Sequence, residues 1–139
     1  MLFEEELEIA QNLGTEEKLE HLLKAFEIYR GDFVPKTVGR SWVMEERLRM
    51  KKLYKSCIVQ IAEILYKKKA YTKMFEIFSK AAKIYPFDEW QIGQIDCLQR
   101  MERFEEAYNL YQTTVQKYFD ELGLPPSQKM LDRIQHMGM

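Results

Sequence analysis

The sequence has few of the residues that break helices or that build metal and redox sites. Its 139 residues include 6 glycines, 4 prolines, 2 cysteines and 2 histidines. Scarce glycine and proline favour an all-α chain over a β fold rich in turns. Cys57 and Cys97 form no CxxC pair and have no histidine nearby, which argues against a zinc site or a disulfide framework. We expect both thiols to be buried as small hydrophobic groups.

Long apolar runs are missing too. No stretch approaches the roughly 20 apolar residues that a membrane span requires. Glu4, Glu5 and Glu6 give the N-terminal segment the wrong charge for a secretory signal. The sequence therefore predicts a cytoplasmic protein with no membrane partner.

Motifs for catalysis are also missing. The chain has no nucleophile beside a base in a recognisable motif, no glycine-rich phosphate loop and no HxxxH pattern. His21 lies in the middle of a helical pattern and His136 lies near the C-terminus, and both positions favour a structural or solvated role. We therefore expect no enzyme activity, no cofactor, no metal and no small-molecule ligand.

The most informative pattern that is present is a repeat with an offset of 33 residues. The segments 71–78 and 104–111 each open on an aromatic residue, and each closes on a large aliphatic residue followed by a second aromatic one. A repeat of this length with helical spacing is typical of stacked helix pairs. Such pairs bury their apolar faces against their neighbours, and the proteins they build usually bind other macromolecules.

Hydrophobic spacing predicts seven helices in one domain spanning residues 1–139. They cover about residues 2–13, 15–29, 41–69, 72–85, a helix opening at 88, 104–121, and 127 to about 136. The N-caps expected from the sequence are Thr15, Ser41, an Asp88–Gln91 capping box and Ser127. Gly123 is expected to end the sixth helix in the left-handed conformation. The expected buried stripe of the third helix is Trp42, Leu48, Leu53, Tyr54, Ile58, Ile61, Ala62 and Leu65.

The repeat departs from the usual pattern at the turn between paired helices, where glycine is common. Lys69 occupies this position in one copy and Glu102 occupies it in the other. Gly14 matches the same position at an offset of 55 residues, and the long third helix with the loop at 30–40 absorbs the excess over one period.

The net charge of −1 conceals a strong segregation of charge along the chain. Residues 1–35 carry three basic and nine acidic side chains (net −6), residues 36–85 carry thirteen and four (net +9), and residues 86–139 carry five and nine (net −4). One interpretation is solvated helix faces, with the basic centre (residues 36–85) flanked by acidic neighbours. The other is that the basic centre faces DNA phosphate or an acidic partner.

Three segments, in order along the chain, resemble one known family. Residues 29–35 (YRGDFVP) resemble the Tyr-x-Gly-Asp-Phe-Leu-Pro signature of the bacterial transcriptional activator domain. Trp42, followed by residues 46–49 (ERLR) and 53–54 (LY), resembles the start of that family's long helix. Residues 121–127 (ELGLPPS) resemble its closing Glu-Leu-Gly-x-x-Pro-Ser element. The resemblance covers nearly the whole chain.

The resemblance implies a tetratricopeptide-like all-α domain, a stack of about seven antiparallel helices arranged as three pairs and a C-terminal capping helix. It implies a regulatory domain of a transcription factor, of the Streptomyces antibiotic regulatory protein type or a related response-regulator type. Its expected partners are proteins: a second copy of itself, the transcription machinery or another regulator domain. A winged-helix DNA-binding domain normally precedes this domain, so we expect one upstream, absent from this chain, and we expect DNA contact only through it. The candidate structural residues carried over from the family signature are Tyr29, Gly31, Asp32, Phe33, Pro35, Trp42, Arg47, Gly123 and Pro126.

Two functions follow as hypotheses. The first is a regulatory protein–protein interaction and self-association domain, in which the basic centre of one copy faces an acidic end of the other. The second is a free-standing tetratricopeptide-like adaptor that binds a peptide or protein in its concave groove. The candidate interaction residues are Lys67, Lys68, Lys69 and Trp90.

Overall fold

The structure is a computed structural model that describes residues 2–29 and 40–132, without the side chains of residues 40–43. Within these ranges the chain forms seven α-helices and no β-strand. The helices are α1 (Leu2–Gln11), α2 (Thr15–Ile28), α3 (Arg40–Lys67), α4 (Tyr71–Ile84), α5 (Gln91–Arg100), α6 (Phe104–Leu122) and α7 (Gln128–Asp132). The prediction of an all-α chain with about seven helices is confirmed. The chain divides into two compact units, Met1–Lys68 and Lys69–Met139.

The first unit packs α1, α2 and α3 around a cluster of aromatic rings. The ring of Tyr29, one residue past the end of α2, lies between Phe3 of α1 and Tyr54 of α3, with centroid distances of 5.1 and 4.1 Å. Phe26 stacks on the same Tyr54 ring at 5.6 Å. Offset ring pairs of this kind add about 0.5–1.5 kcal/mol each to the stability gained by burying their surface. This cluster is therefore the centre of the core in the first unit.

Contacts along the three helices give their directions. Phe3, near the start of α1, meets Tyr29 beyond the end of α2, so these helices run antiparallel. Glu16, near the start of α2, meets Lys68 beyond the end of α3, so this pair is antiparallel as well. The buried apolar residues of this unit are Phe3, Leu7, Ala10, Leu19, Leu22, Ala25, Phe26, Tyr29, Met50, Tyr54, Cys57, Ile58, Ile61, Ile64 and Leu65.

The second unit packs α4, α5, α6 and α7 around another core. Arg100, at the end of α5, lies over the ring of Tyr71 at the start of α4, 5.7 Å from its centroid, so these helices are antiparallel. The fully buried side chains of one cluster are Ile95, Leu98, Ala107 and Met130, contributed by α5, α6 and α7. The partly buried side chains packed against that cluster are Phe75, Ile92, Met101, Leu110 and Tyr111.

The turns that precede α4 and α6 share one backbone conformation. Lys69 and Glu102, which are 33 positions apart, both lie in the left-handed region, with φ of 57° and 60°. The residues that follow them, Ala70 and Arg103, also match, with φ/ψ of −87°/63° and −95°/64°. The first hydrogen bond of each following helix is 3.1 Å long in both copies. The 33-residue repeat of the sequence is therefore also a repeat in backbone geometry.

Two predicted N-caps lie inside the helices that they were expected to cap. Thr15 is the first residue of α2, and the N-cap is Gly14, which is extended (φ −71°, ψ 170°) and has no side chain to accept a hydrogen bond. Gly14 therefore does not share the left-handed conformation of Lys69. Likewise α3 begins at Arg40, which places Ser41 inside the helix.

The predicted capping box at Asp88–Gln91 is wrong. The N-cap of α5 is Trp90, and it makes no side-chain capping hydrogen bond. The side chain of Gln91 instead donates from Nε2 to the carbonyl oxygen of Pro86 at 3.0 Å. The Gln91 side chain thus acts as a donor to the preceding turn, and its Oε1, the acceptor that a capping box would use, has no hydrogen-bond partner among the described residues.

The two helix-end signals near the C-terminus are confirmed. Gly123 ends α6 with φ of 69°, and its N–H donates to the carbonyl of Phe119 at 2.9 Å. Ser127 precedes α7, and its Oγ accepts a 3.4 Å hydrogen bond from the N–H of Met130. The expected end of this helix near His136 lies outside the described residues.

The predicted stripe of α3 is partly right. Its correctly predicted buried members are Tyr54, Ile58, Ile61 and Leu65, and the buried residues it omitted are Met50, Cys57 and Ile64. Leu48 is wrong, because it is 56% exposed. Leu48 is two residues from the buried Met50, which is about 200° around the helix at about 100° per residue, so Leu48 lies on the other side of the helix.

Candidate interaction surfaces

The candidate structural residues that the structure describes differ in burial. Tyr29 is only 1% exposed, in the aromatic cluster of the first unit. Pro126 is buried just ahead of α7, and Gly123 supplies the left-handed residue that ends α6. Arg47 is exposed on α3. The predicted residues Gly31, Asp32, Phe33 and Pro35 lie outside the described residues, as does the side chain of Trp42.

The three candidate lysines lie together where α3 ends. Lys67 is the last residue of α3, and Lys69 occupies the left-handed turn that follows. All three are exposed. The Nζ of Lys68 lies 2.5 Å from Oε1 of Glu16, so this lysine is already paired within the first unit. Lys67 and Lys69 make no ion pair with any residue in the described part of the chain.

Some of the segregated charges are neutralised by ion pairs inside the first unit. The guanidinium of Arg49 lies 2.6 Å from Glu4 and 2.5 Å from Glu46. Hydrogen bonds from Arg49 lower the pKa of both carboxyl groups below their ordinary value. The pairs of Arg49 with Glu4 and of Lys68 with Glu16 join the acidic N-terminal segment to the basic centre. These contacts support the interpretation that acidic neighbours flank the basic centre, although exposed pairs of this kind add only about 0–1 kcal/mol each.

Trp90 packs inside the second unit. Its ring is half-buried and lies 6.1 Å, centroid to centroid, from the ring of Phe78 in α4. Its Nε1 is buried and has no acceptor among the described residues. Gly93, one turn further along, makes room for the same Phe78 ring, because a Cβ there would lie 2.6–2.7 Å from three of its atoms. Trp90 thus contributes to packing between α4 and α5.

Two exposed apolar stripes were not predicted from the sequence. The α3 stripe consists of Met44, Leu48 and Val59, which are 46–58% exposed, with the exposed lysines Lys52 and Lys55 between them. The α6 stripe consists of Phe104, Tyr108, Phe119 and Leu122, which are 38–63% exposed. Steps of three, four and seven residues return to one side of a helix, so each set forms a continuous face. The spacing is present in the sequence, but it resembles that of a buried face.

The two cysteines and His21 lie in environments that suit packing and helix–helix contact. Cys57 is fully buried, and its Sγ donates to the carbonyl oxygen of Leu22 at 3.4 Å. Cys97 is fully buried as well. Nδ1 of His21 lies 2.5 Å from Oε2 of Glu6, so this pair links α2 to α1. In the described part of the chain, no three His, Cys, Asp or Glu side chains converge as metal ligands would.

The described helices also include none with the length and apolar character required to cross a membrane.

Comparison with known proteins gives one match. The family model of the bacterial transcriptional activator domain matches residues 3–137, which is nearly the whole chain. No curated protein and no solved structure matches.

Proposed function

We propose that this chain, which belongs to the bacterial transcriptional activator domain family, provides the protein contacts and the self-association of a transcriptional regulator. The family match makes the chain a transcriptional activator domain, a regulatory part of a transcription factor. The observation that carries the proposal beyond the family is the separation of basic and acidic side chains into different segments of one chain.

Exposed charged side chains that make no ion pair with a described residue support this proposal. In the basic centre, Lys52, Lys55, Lys67 and Lys69 are exposed and make no ion pair with a described residue. In the acidic C-terminal segment, the same holds for Glu102, Glu105 and Glu121. Because one chain carries both sets on separate segments, a second copy offers each set its complement. Two copies related by a two-fold axis form such a contact twice, which strengthens a weak contact.

The test compares charge-reversal variants by sedimentation velocity over a range of protein concentrations. Lys67→Glu with Lys69→Glu is preferred to a change at Lys68, because Lys68 pairs with Glu16 within the protomer. Glu is compatible with the turn at position 69, since Glu102 already holds the same conformation. We expect this double variant to self-associate more weakly than the wild type.

The matched control is Lys129→Glu, an equal change of charge per site at an exposed position in the acidic segment. It adds negative charge where the proposal requires it, so association should not weaken. Equal weakening by both changes would mean that net charge alone governs association. A wild type that stays monomeric at high micromolar concentration would reject self-association itself.

DNA is the other partner that a basic segment can attract. We expect no sequence-specific footprint on a defined operator from this chain alone, because DNA readout is expected from a separate domain. Weak retention that falls steeply with salt would report only the non-specific attraction of the basic centre for phosphate. A footprint at physiological salt would contradict the proposal.

A further inference from the structure

We propose that the α3 stripe of one copy packs against the α6 stripe of a second copy, and this inference rests on the self-association proposed above. Both faces expose large apolar side chains: Leu48 of α3 is 56% exposed and Phe119 of α6 is 63% exposed. A single exposed apolar residue is ordinary, but several aligned on one helix face mark an interaction surface. The apolar residues define where contact occurs, and the charges define which faces meet.

Charge selects a mixed pair of helices over identical pairs. Helix α3 carries seven basic and three acidic side chains (net +4), whereas α6 carries one basic and four acidic (net −3). Packing α6 on another α6, or α3 on another α3, would bring like charges together. Packing α3 on α6 brings opposite charges together, and electrostatic complementarity of this kind suppresses the wrong pairings.

The spacing of the unpaired charges also fits. Glu105 and Glu121 lie near the two ends of the α6 stripe, about 24 Å apart at 1.5 Å per residue. Lys52 and Lys67 on α3 are about 22 Å apart by the same rise. All four side chains are exposed, and none has an ion-pair partner among the described residues. The unpaired lysines of α3 and the unpaired glutamates of α6 therefore supply opposite charge at similar spacings along the two helices.

The two-fold arrangement gives a sharp experiment with two complementary variants. Variant A carries Lys52→Glu and Lys67→Glu in α3, and variant B carries Glu105→Lys and Glu121→Lys in α6. Each variant alone opposes like charges in both of its α3–α6 contacts, so each should self-associate roughly tenfold more weakly than wild type. In a mixed dimer of A and B, both contacts again join opposite charges.

The expected result is that an equimolar mixture of A and B associates to within about threefold of wild type, while each variant alone is largely monomeric at that concentration. Fluorescence labelling of one variant separates the mixed dimer from any homodimer in sedimentation velocity. A mixture as monomeric as its components, with both variants folded by circular dichroism, would overturn the proposed contact.

A second pair of variants tests the apolar part. Phe119→Ser removes a member of the α6 stripe and should weaken self-association roughly tenfold without lowering the melting temperature, since the side chain is exposed. Leu124→Ser is the matched control: Leu124 is equally exposed at 63%, but it lies beyond the end of α6. It should leave association unchanged.

The outcomes separate this inference from the proposed function. If the wild type dimerises but variants A, B and Phe119→Ser dimerise equally well, the domain self-associates through another surface and only the α3–α6 contact is wrong. If the wild type is a monomer at high micromolar concentration, both proposals fail.

Discussion

At the scale of single residues, Lys69 and Glu102 adopt a left-handed backbone conformation, which carries a free-energy cost that glycine would avoid. Replacing Lys69, at φ 57°, by glycine should raise the free energy of unfolding by about 0.5–1 kcal/mol. The strain of a Cβ in this region is roughly 1–2 kcal/mol, and the larger entropy that glycine loses on folding offsets part of it. Urea denaturation measures the difference. The control, Lys55→Gly in the exposed middle of α3, should lower stability by about 1 kcal/mol, and a loss at both positions would contradict the reason given.

Gly93 is required for a different reason, which is space. Gly93→Ala would place a Cβ 2.6–2.7 Å from three ring atoms of the buried Phe78. We expect the free energy of unfolding to fall by about 1–3 kcal/mol, the usual cost of overpacking a core. The contrasting change is Gly14→Ser, where no atom lies within 4 Å and where a serine N-cap should add a few tenths of a kcal/mol. A melting temperature of Gly93→Ala equal to that of the wild type would mean that α4 and α5 move apart at no energetic cost to accommodate the added methyl group.

Cys57 is expected to be chemically silent in the folded protein. Burial raises the pKa of its thiol from the ordinary value of 9.0 to about 12, so the neutral form dominates at pH 7. Since the folded pKa is the higher one, the contribution of this group to stability is complete below pH 9 and is lost as the pH rises towards about 12. A thiol reagent at pH 8 should label Cys57 only as fast as the chain unfolds. Rapid stoichiometric labelling of the native protein at this position would contradict the burial.

At the scale of secondary structure elements, α7 is short but holds a core residue. Met130, which is fully buried, packs with α5 and α6, and Ser127 caps the helix that carries it. Ser127→Ala should lower the free energy of unfolding by about 1 kcal/mol, because it removes the cap and a hydrogen bond to Glu89. Thermal denaturation checks this against Ser56→Ala, an exposed site inside α3 that should be neutral or slightly stabilised. Identical melting of the two variants would show that α7 needs no cap.

The helices that the sequence predicts best are those with a strong amphipathic period and an unambiguous end. The predicted span 104–121 is observed as Phe104–Leu122, and 72–85 is observed as Tyr71–Ile84. Pro86 and Gly123 end these helices for reasons that are local to the backbone. Local signals were insufficient for the capping box, because the side chain of Gln91 bonds to Pro86 across the turn.

The interaction residues are harder to predict, because their environment depends on residues far away in sequence. The pairing of Lys68 with Glu16, 52 positions earlier, follows only from the antiparallel packing of α2 and α3. Leu48 shares a helical face with Met44 and Val59, and the spacing of these apolar residues resembles that of a core face, so only the structure shows that this face is exposed. Charge segregation, in contrast, is a property of the sequence itself and needed no structure.

At the scale of the whole molecule, the separation of basic and acidic side chains should make self-association depend on ionic strength. Exposed charges separated by more than the Debye length, about 10 Å at 0.1 M salt, interact little. The proposed attraction should therefore weaken as salt is added, whereas the apolar contact between stripes should persist. A dimer held by both would be weakened by salt without being abolished.

The measurement that tests self-association most directly is the molar mass of the wild-type chain by sedimentation equilibrium, across protein concentration and ionic strength. We expect a mass that rises above the 16.7 kDa of one copy towards twice that value at high micromolar concentration, with a weaker rise at high salt. A salt-insensitive dimer would keep the association but reject its electrostatic part. A mass that stays at 16.7 kDa under every condition would contradict the central claim.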